Sequence, residues 1–276
     1  MDSRYKDTGL LFLSIAVILI SGCIGGEGQK KETLSIAGST TVQPIAAKAA
    51  EEFMKKNPDV IVSVQGGGSG TGIKMVAEGS ADIGDASREI KDMEKTQYPD
   101  LKPYAVAGDG IAVVVHPGNS LSDLTKQQVQ DIFAGKIRNF KEVGGPDREI
   151  MVVIREEGSG TRATFEELVM GKGKIANTGD ALQKPSNGAV KAAVAGNENA
   201  IGYIGLGYVD ETVKALKTDG VTPSAATIKS GKYPISRKLY MITKGEATGL
   251  KKKFIDFVLS DEGQSIVEEE GFIKIK

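Results

Sequence analysis

Val64-Gln-Gly-Gly-Gly-Ser-Gly-Thr-Gly72 runs an apolar strand-like stretch into a glycine-rich loop carrying hydroxyls, and then into a helix-patterned segment. The same construction stands upstream at Ser35-Ile-Ala-Gly-Ser-Thr-Thr41 and downstream at Ile154-Arg-Glu-Glu-Gly-Ser-Gly-Thr161. A helix N-terminus leaves its first backbone N–H groups unpaired and carries partial positive charge. Three such termini aimed at one point, with hydroxyls beside them, make a cradle for an oxyanion. Arg155 is the one full positive charge built into the three loops, which points to a fully ionised tetrahedral anion.

Around the loops, residues 34–37 and 60–64 read as strands. The helix between them places Val42, Ile45, Ala49 and Phe53 on one face, tolerates Pro44 in its first turn and stops at Asn57-Pro58. A helix carrying Ile73, Val76 and Ala77 follows, then the turn Ala81-Asp-Ile-Gly-Asp-Ala-Ser-Arg88. Residues 102–116 are β-like, but Gly108-Asp-Gly110 interrupts them, as expected of a strand crossing between two lobes. A second unit comprises helices at 124–133, 162–170 and 188–195 and strands at 150–154 and 200–204, with Phe165, Leu168 and Val169 inward. Residues 234–243 form a strand returning to the first lobe, and a closing helix presents Leu250, Phe254, Phe257 and Val258 on one face. Alternating strands and helices predict an α/β fold with a mainly parallel sheet. The paired crossings divide it into lobe I, residues 33–112 plus 236–276, and lobe II, residues 113–235, with a cleft between them.

The N-terminus reads as an export signal over residues 1–22. Arg4 and Lys6 precede an apolar run at 10–20, too short to span a bilayer comfortably, and Ile20-Ser-Gly-Cys23 has the form of a lipoprotein processing box. Cys23 is the only cysteine, which excludes disulfides and cysteine-based metal sites; its expected role is lipidation, with residues 23–32 as a flexible tether. With 35 basic and 36 acidic residues the formal net charge is -1. No basic field for nucleic acid exists, and aromatics at 5% without tryptophan offer no base-stacking platform. Any attraction for an anion is therefore local.

Each loop alone is weak evidence, because glycine-rich turns before helices also serve as plain connectors. Three of the same chemistry are stronger. Ser39, Thr40 and Thr41 exceed what a helix cap requires, although one of them is expected to cap. Ser69 is the hydroxyl framed by Gly66 to Gly72, where backbone approaches a ligand without Cβ interference. Arg155 has a competing reading as an ion pair with Glu156 or Glu157, and Arg88 as one with Glu89 or Asp92. Neither G-x-x-x-x-G-K-[ST] nor G-x-G-x-x-G is spelled at a strand-to-helix junction, which argues against nucleotide binding. Ser69 and Ser159 do not fit G-x-S-x-G, and His116 is the only imidazole, so a serine hydrolase of phosphoesters is the weaker reading. Nothing has the spacing of a catalytic metal site, and no cofactor is expected.

In their order along the chain, Gly-Ser-Thr-Thr, Gln-Gly-Gly-Gly-Ser-Gly-Thr-Gly, Asp-Ile-Gly-Asp-Ala-Ser-Arg and Arg-Glu-Glu-Gly-Ser-Gly-Thr resemble the phosphate-binding proteins of Pst-type ABC importers, from about residue 34 to the C-terminus. The resemblance implies the two-lobed, type II periplasmic-binding-protein-like fold and capture of inorganic phosphate for permease subunits with their ATPase. It also implies an exported, monomeric protein held by lipid at the outer face of the cell membrane. Thr40, Thr41 and Ser69 match the family's first two loops, and Arg155, Ser159, Gly160 and Thr161 its arginine and the loop that follows. Where some members have an aspartate accepting the proton of hydrogen phosphate, this chain has Ser87, with Asp85 two residues earlier and Arg88 one later. Either Asp85 or Ser87 is then the acceptor. Sulfate, molybdate or tungstate remain alternative ligands, and a surface adhesion or sensor protein is the bland alternative.

Overall fold

The computed structural model describes residues 31–171 and 179–275. The expected signal, Cys23 and most of the tether lie outside the described residues. The chain runs β1 (Glu32–Gly38), α1 (Gln43–Lys56), β2 (Val60–Gly66), α2 (Ser69–Ala77), β3 (Ile83–Ala86), α3 (Asp92–Gln97) and β4 (Leu101–Val115). It continues through β5 (Asp123–Leu124), α4 (Lys126–Phe133), β6 (Met151–Arg155), α5 (Gly160–Phe165), β7 (Leu182–Lys184), α6 (Asn187–Ala195) and β8 (Ala200–Gly205). Last come β9 (Lys214–Ala215), β10 (Lys217–Thr218), α7 (Ala225–Lys229), β11 (Ser236–Lys244), α8 (Gly249–Leu259) and α9 (Asp261–Glu269).

One curled sheet carries both lobes, in the order β2-β1-β3-β11-β4-β8-β6-β7. Pairing is parallel among β1, β2 and β3 and among β6, β7 and β8, each group built from strand–helix–strand units. The strand β4 joins the two halves. Its first ten residues pair antiparallel with β11, and from Ile111 onward it pairs with β8 instead. Gly108-Asp-Gly110 therefore does not break the strand, as the sequence suggested; it marks where the strand exchanges partners. A side chain at Gly110 would collide with Ile228, with a Cβ only 2.3 Å from its Cδ1. The return crossing lies alongside, where Ile111 donates its N–H to the carbonyl of Ile235 at 2.8 Å.

Apolar periodicity explains the packing. In α1, Ile45, Ala49 and Phe53 meet Leu34, Ile36 and Ile83 on one sheet face, together with Phe254 and Val258 of α8. On the opposite face Ile73 and Val76 of α2 meet Ala86 and Ile242. Beyond the crossing, Phe133, Phe165 and Tyr203 form a separate aromatic core, with the Phe165 and Tyr203 rings stacked at 4.1 Å. The helix expected at 162–170 is α5 followed by a π-helical turn, Glu166–Met170. Among the described residues no helix is long and apolar enough to cross a membrane.

Candidate functional site

The first loop leaves β1 at Gly38, and Ser39, Thr40 and Thr41 are all buried. None of the three caps α1: Val42 holds the cap position, without a side-chain hydrogen bond. The Ser39 hydroxyl instead accepts the Thr41 N–H at 3.1 Å, folding the loop on itself. In the second loop Ser69 opens α2, fully buried, and its Oγ accepts the Ser87 N–H at 3.0 Å. In the third, Ser159 caps α5 by accepting the Arg162 N–H at 3.2 Å.

These loops meet across the cleft. The Thr41 and Thr161 hydroxyl oxygens are 3.0 Å apart, and Gly70 donates its N–H to the Gly158 carbonyl at 3.0 Å. Gly160 sits so tightly that a Cβ there would lie 2.2 Å from the Ser69 Oγ and 2.6 Å from the Ser87 Oγ. Only glycine lets the third loop close over the second. The Thr164 hydroxyl reaches the Ser87 carbonyl at 3.5 Å, and the Tyr208 hydroxyl donates to the Thr40 carbonyl. Thr40, Thr41, Ser69, Ser87, Ser159, Gly160 and Thr161 are thus brought together from both sides of the crossing strands.

The charges are arranged in matched pairs. Arg155, 1% exposed, forks onto Glu156 through Nε at 2.9 Å and Nη2 at 2.7 Å, so the ion-pair reading of this residue is realised at Glu156. Its backbone N–H is held by the Tyr203 hydroxyl at 3.3 Å, which ties the loop to the aromatic core. Arg88 forks onto Glu94 with both bonds at 2.7 Å, rather than onto Glu89 or Asp92. Arg162 pairs with Glu166 at 2.8 Å and also donates to the Arg155 carbonyl. Each of these guanidiniums therefore has its own carboxylate, which leaves little net charge among them.

Two further residues enter that the sequence did not single out. Arg237 of β11 stands directly opposite Asp109 of β4 and forks onto its Oδ2 at 2.7 and 3.0 Å, with side chains 4% and 0% exposed. Burial pushes the Asp109 carboxyl up and the Arg237 guanidinium down, each opposed by the other's charge. Arg237 also donates to the Ser87 carbonyl and the Thr41 hydroxyl, both at 3.2 Å. Asn187, fully buried at the start of α6, donates to the Thr41 hydroxyl at 2.9 Å. Arg155 is therefore not the only guanidinium at the loops. A strand position gives no loop signature, which hid Arg237; Asn187 follows the Ser186 cap and reads as part of the helix start.

Asp85 lies on β3 between Gly38 and Met241, and both its carboxylate oxygens are buried without a partner. Burial alone pushes its carboxyl well above the usual carboxylate range. On the same strand Ala86 packs toward α2 and Ile83 toward α1, so alternation sets Asp85 on the α1 face. A groove of about 730 Å³ opens beside the loops, lined by Arg88, Lys91, Thr164, Glu166 and Arg237 among others.

The PBP superfamily domain model matches residues 25–262. A phosphate-binding protein PstS of Bacillus subtilis (strain 168) is 38% identical over 282 residues, covering 96% of this chain and 93% of the relative. A crystal structure from Clostridium perfringens, of a phosphate ABC transporter substrate-binding protein with bound phosphate, superposes with a TM-score of 0.85 at 46% identity. It covers 89% of this chain and 100% of that one. An ABC-type phosphate transport receptor from Vibrio cholerae gives 0.72 at 35% identity, covering 88% and 100%. With the glycine-and-hydroxyl loops facing one another across a two-lobed α/β fold, and similarity of this extent along the chain, the protein belongs to the PstS family of phosphate-binding proteins within the PBP superfamily.

Proposed function

We propose that this protein captures inorganic phosphate between its lobes, residues 33–112 plus 236–276 and residues 113–235, as the extracytoplasmic substrate-binding lipoprotein of an ABC importer. It then delivers the anion to permease subunits driven by their ATPase. The observation that carries this reading is the meeting of three hydroxyl-bearing helix starts from both lobes, with Gly160 pressed on Ser69 and Ser87 and Thr41 facing Thr161. Phosphate bound by Ser39, Thr40, Thr41, Ser69, Ser87, Arg155, Ser159, Gly160 and Thr161 bridges the lobes, so closure follows from contacts that exist only in the closed form. Arg88, pinned by Glu94, stands at the rim of the groove through which the anion enters.

Ser87 is favoured over Asp85 as the proton acceptor, because the Ser87 hydroxyl lies 3.3 Å from Ser69 whereas Asp85 belongs to the strand face packed by α1. A purely binding role is supported by Ser69 and Ser159, whose oxygens accept backbone N–H groups, and by His116, whose Nδ1 accepts the Gly118 N–H. Lipidation at Cys23 and a monomeric state complete the proposal. Hydrogen bonds to charged groups contribute about 1.5–3 kcal/mol each, and ten of them overshoot the noncovalent ceiling of about 18–21 kcal/mol. Desolvation of the dianion and hinge closure offset much of that sum, leaving an expected dissociation constant from sub-micromolar to micromolar.

Titration calorimetry with phosphate, sulfate and molybdate at pH 6 and pH 8 tests the proposal. Phosphate alone should bind in that range, with an affinity that changes with pH, since only phosphate changes its proton count near neutrality. Tight sulfate or molybdate binding without phosphate binding overturns it. Release of product from a chromogenic phosphoester, abolished by Ser69→Ala or Ser159→Ala, points to the hydrolase instead.

A further inference from the structure

The Thr41 hydroxyl has three neighbours: Asn187 Nδ2 at 2.9 Å, Thr161 Oγ1 at 3.0 Å and Arg237 Nη2 at 3.2 Å. A hydroxyl has one hydrogen to give and two lone pairs to receive. Arginine is donor-only in every protonation state that a protein reaches. The Asn187 amide is oriented by its other end: Oδ1 accepts the Gly205 N–H at 3.2 Å, an unambiguous donor, so the NH2 must face Thr41. Both Thr41 lone pairs are then filled and its hydrogen can only be given away. The Thr161 oxygen takes it, which commits one Thr161 lone pair and directs Thr161's own hydrogen outward.

We propose that Arg237 and Asn187 are positioning residues that lock the Thr41 hydroxyl as an obligate donor to Thr161, so that Thr161 in turn presents its own hydrogen and not a lone pair to a bound oxyanion. This rests on the phosphate-binding reading and deepens it by assigning the origin of donor polarity at the first and third loops. Asp109 holds the Arg237 fork from the paired crossing strand and also accepts the Leu206 N–H at 3.0 Å. The lock is thereby built into the hinge itself. A chain of hydroxyls polarised in one direction strengthens each bond along it. It also disfavours a ligand that offers a hydrogen at that position.

The test is a double-mutant cycle read by phosphate calorimetry on the exported chain, combining Asn187→Leu with Thr41→Val and with Thr41→Ser. Asn187→Leu introduces no charge, and it should weaken phosphate binding about fivefold or more in the wild-type and Thr41→Ser backgrounds, but less than about twofold in Thr41→Val. Arg237→Lys, which keeps the charge and loses the fork, should show the same dependence on Thr41. Asn187→Ala, which leaves room for a water, carries the same expectation if the leucine variant does not fold. Equal losses in the Thr41→Val and wild-type backgrounds, or no loss in the wild type, overturn the lock. A wild-type protein that takes up no phosphate overturns the functional reading instead, so the two failures are distinguishable.

Discussion

Thr41 and Thr161, 120 residues apart in the chain, bring their hydroxyl oxygens within 3.0 Å across the cleft, and each residue is 1% exposed. One follows β1 and the other lies in the first turn of α5, so their contact ties the first loop to the third. A single net hydrogen bond of this kind is worth about 1 kcal/mol, too little to hold two lobes by itself. In the proposed reading, a bound anion that engages both loops supplies the rest.

Gly160→Ala isolates closure. The added Cβ would sit 2.2 Å from Ser69 Oγ with the loops together, and that clash should be relieved when the lobes part. Overpacking costs about 1–3 kcal/mol, which corresponds to an affinity loss of about 5- to 150-fold. Calorimetry should find that loss while the thermal midpoint without phosphate moves little; undiminished affinity would show that the loops do not need to meet.

Arg155→Ala should weaken phosphate binding at least about tenfold, since it removes charge-assisted hydrogen bonds and leaves the Glu156 carboxylate unpaired near the anion. Adding Glu156→Ala should restore part of the affinity by removing that repulsion. A double variant no better than the single one would mean that Glu156 does not sense the ligand.

Asp85 makes a pH prediction. Its folded carboxyl keeps its proton well above the pH at which the unfolded chain releases it. Between those two values the native state binds more protons than the unfolded state, so stability falls as pH rises through that window and the effect vanishes below it. Asp85→Asn cannot titrate, and any offset from the amide is independent of pH. Urea unfolding from pH 4 to pH 8 should show the variant gaining on the wild type as pH rises, with phosphate affinity retained. Parallel stability curves would place the Asp85 carboxyl in a solvated or paired setting, and a lost affinity would return it to the ligand set.

Much of this site was legible because its loops carry their chemistry in adjacent residues: Ser39 to Thr41, Gly66 to Gly72 and Arg155 to Thr161 announce helix starts and backbone access locally. The inward faces of α1, α2 and α8 were equally plain, since 3.6-residue periodicity survives in Ile45, Ala49 and Phe53 and in Phe254 and Val258. What escaped was set by tertiary pairing. Gly108-Asp-Gly110 looked like a break because local propensity disfavours a strand there, yet exchange of β11 for β8 keeps the ladder going. Arg237 acquires its meaning only when β11 lies against Asp109, and Arg88 finds Glu94 because α3 folds back upon it. The capping expectation for the first loop failed because Ser39 spends its hydroxyl inside the loop, on Thr41.

The most direct measurement is a crystal structure of the exported protein grown with phosphate. Tetrahedral density held between the first two loops and the third, within hydrogen-bond reach of Thr41, Ser69, Arg155 and Thr161, is the predicted result. Phosphate bound elsewhere, with these segments facing separate solvent and no oxyanion between them, would contradict it.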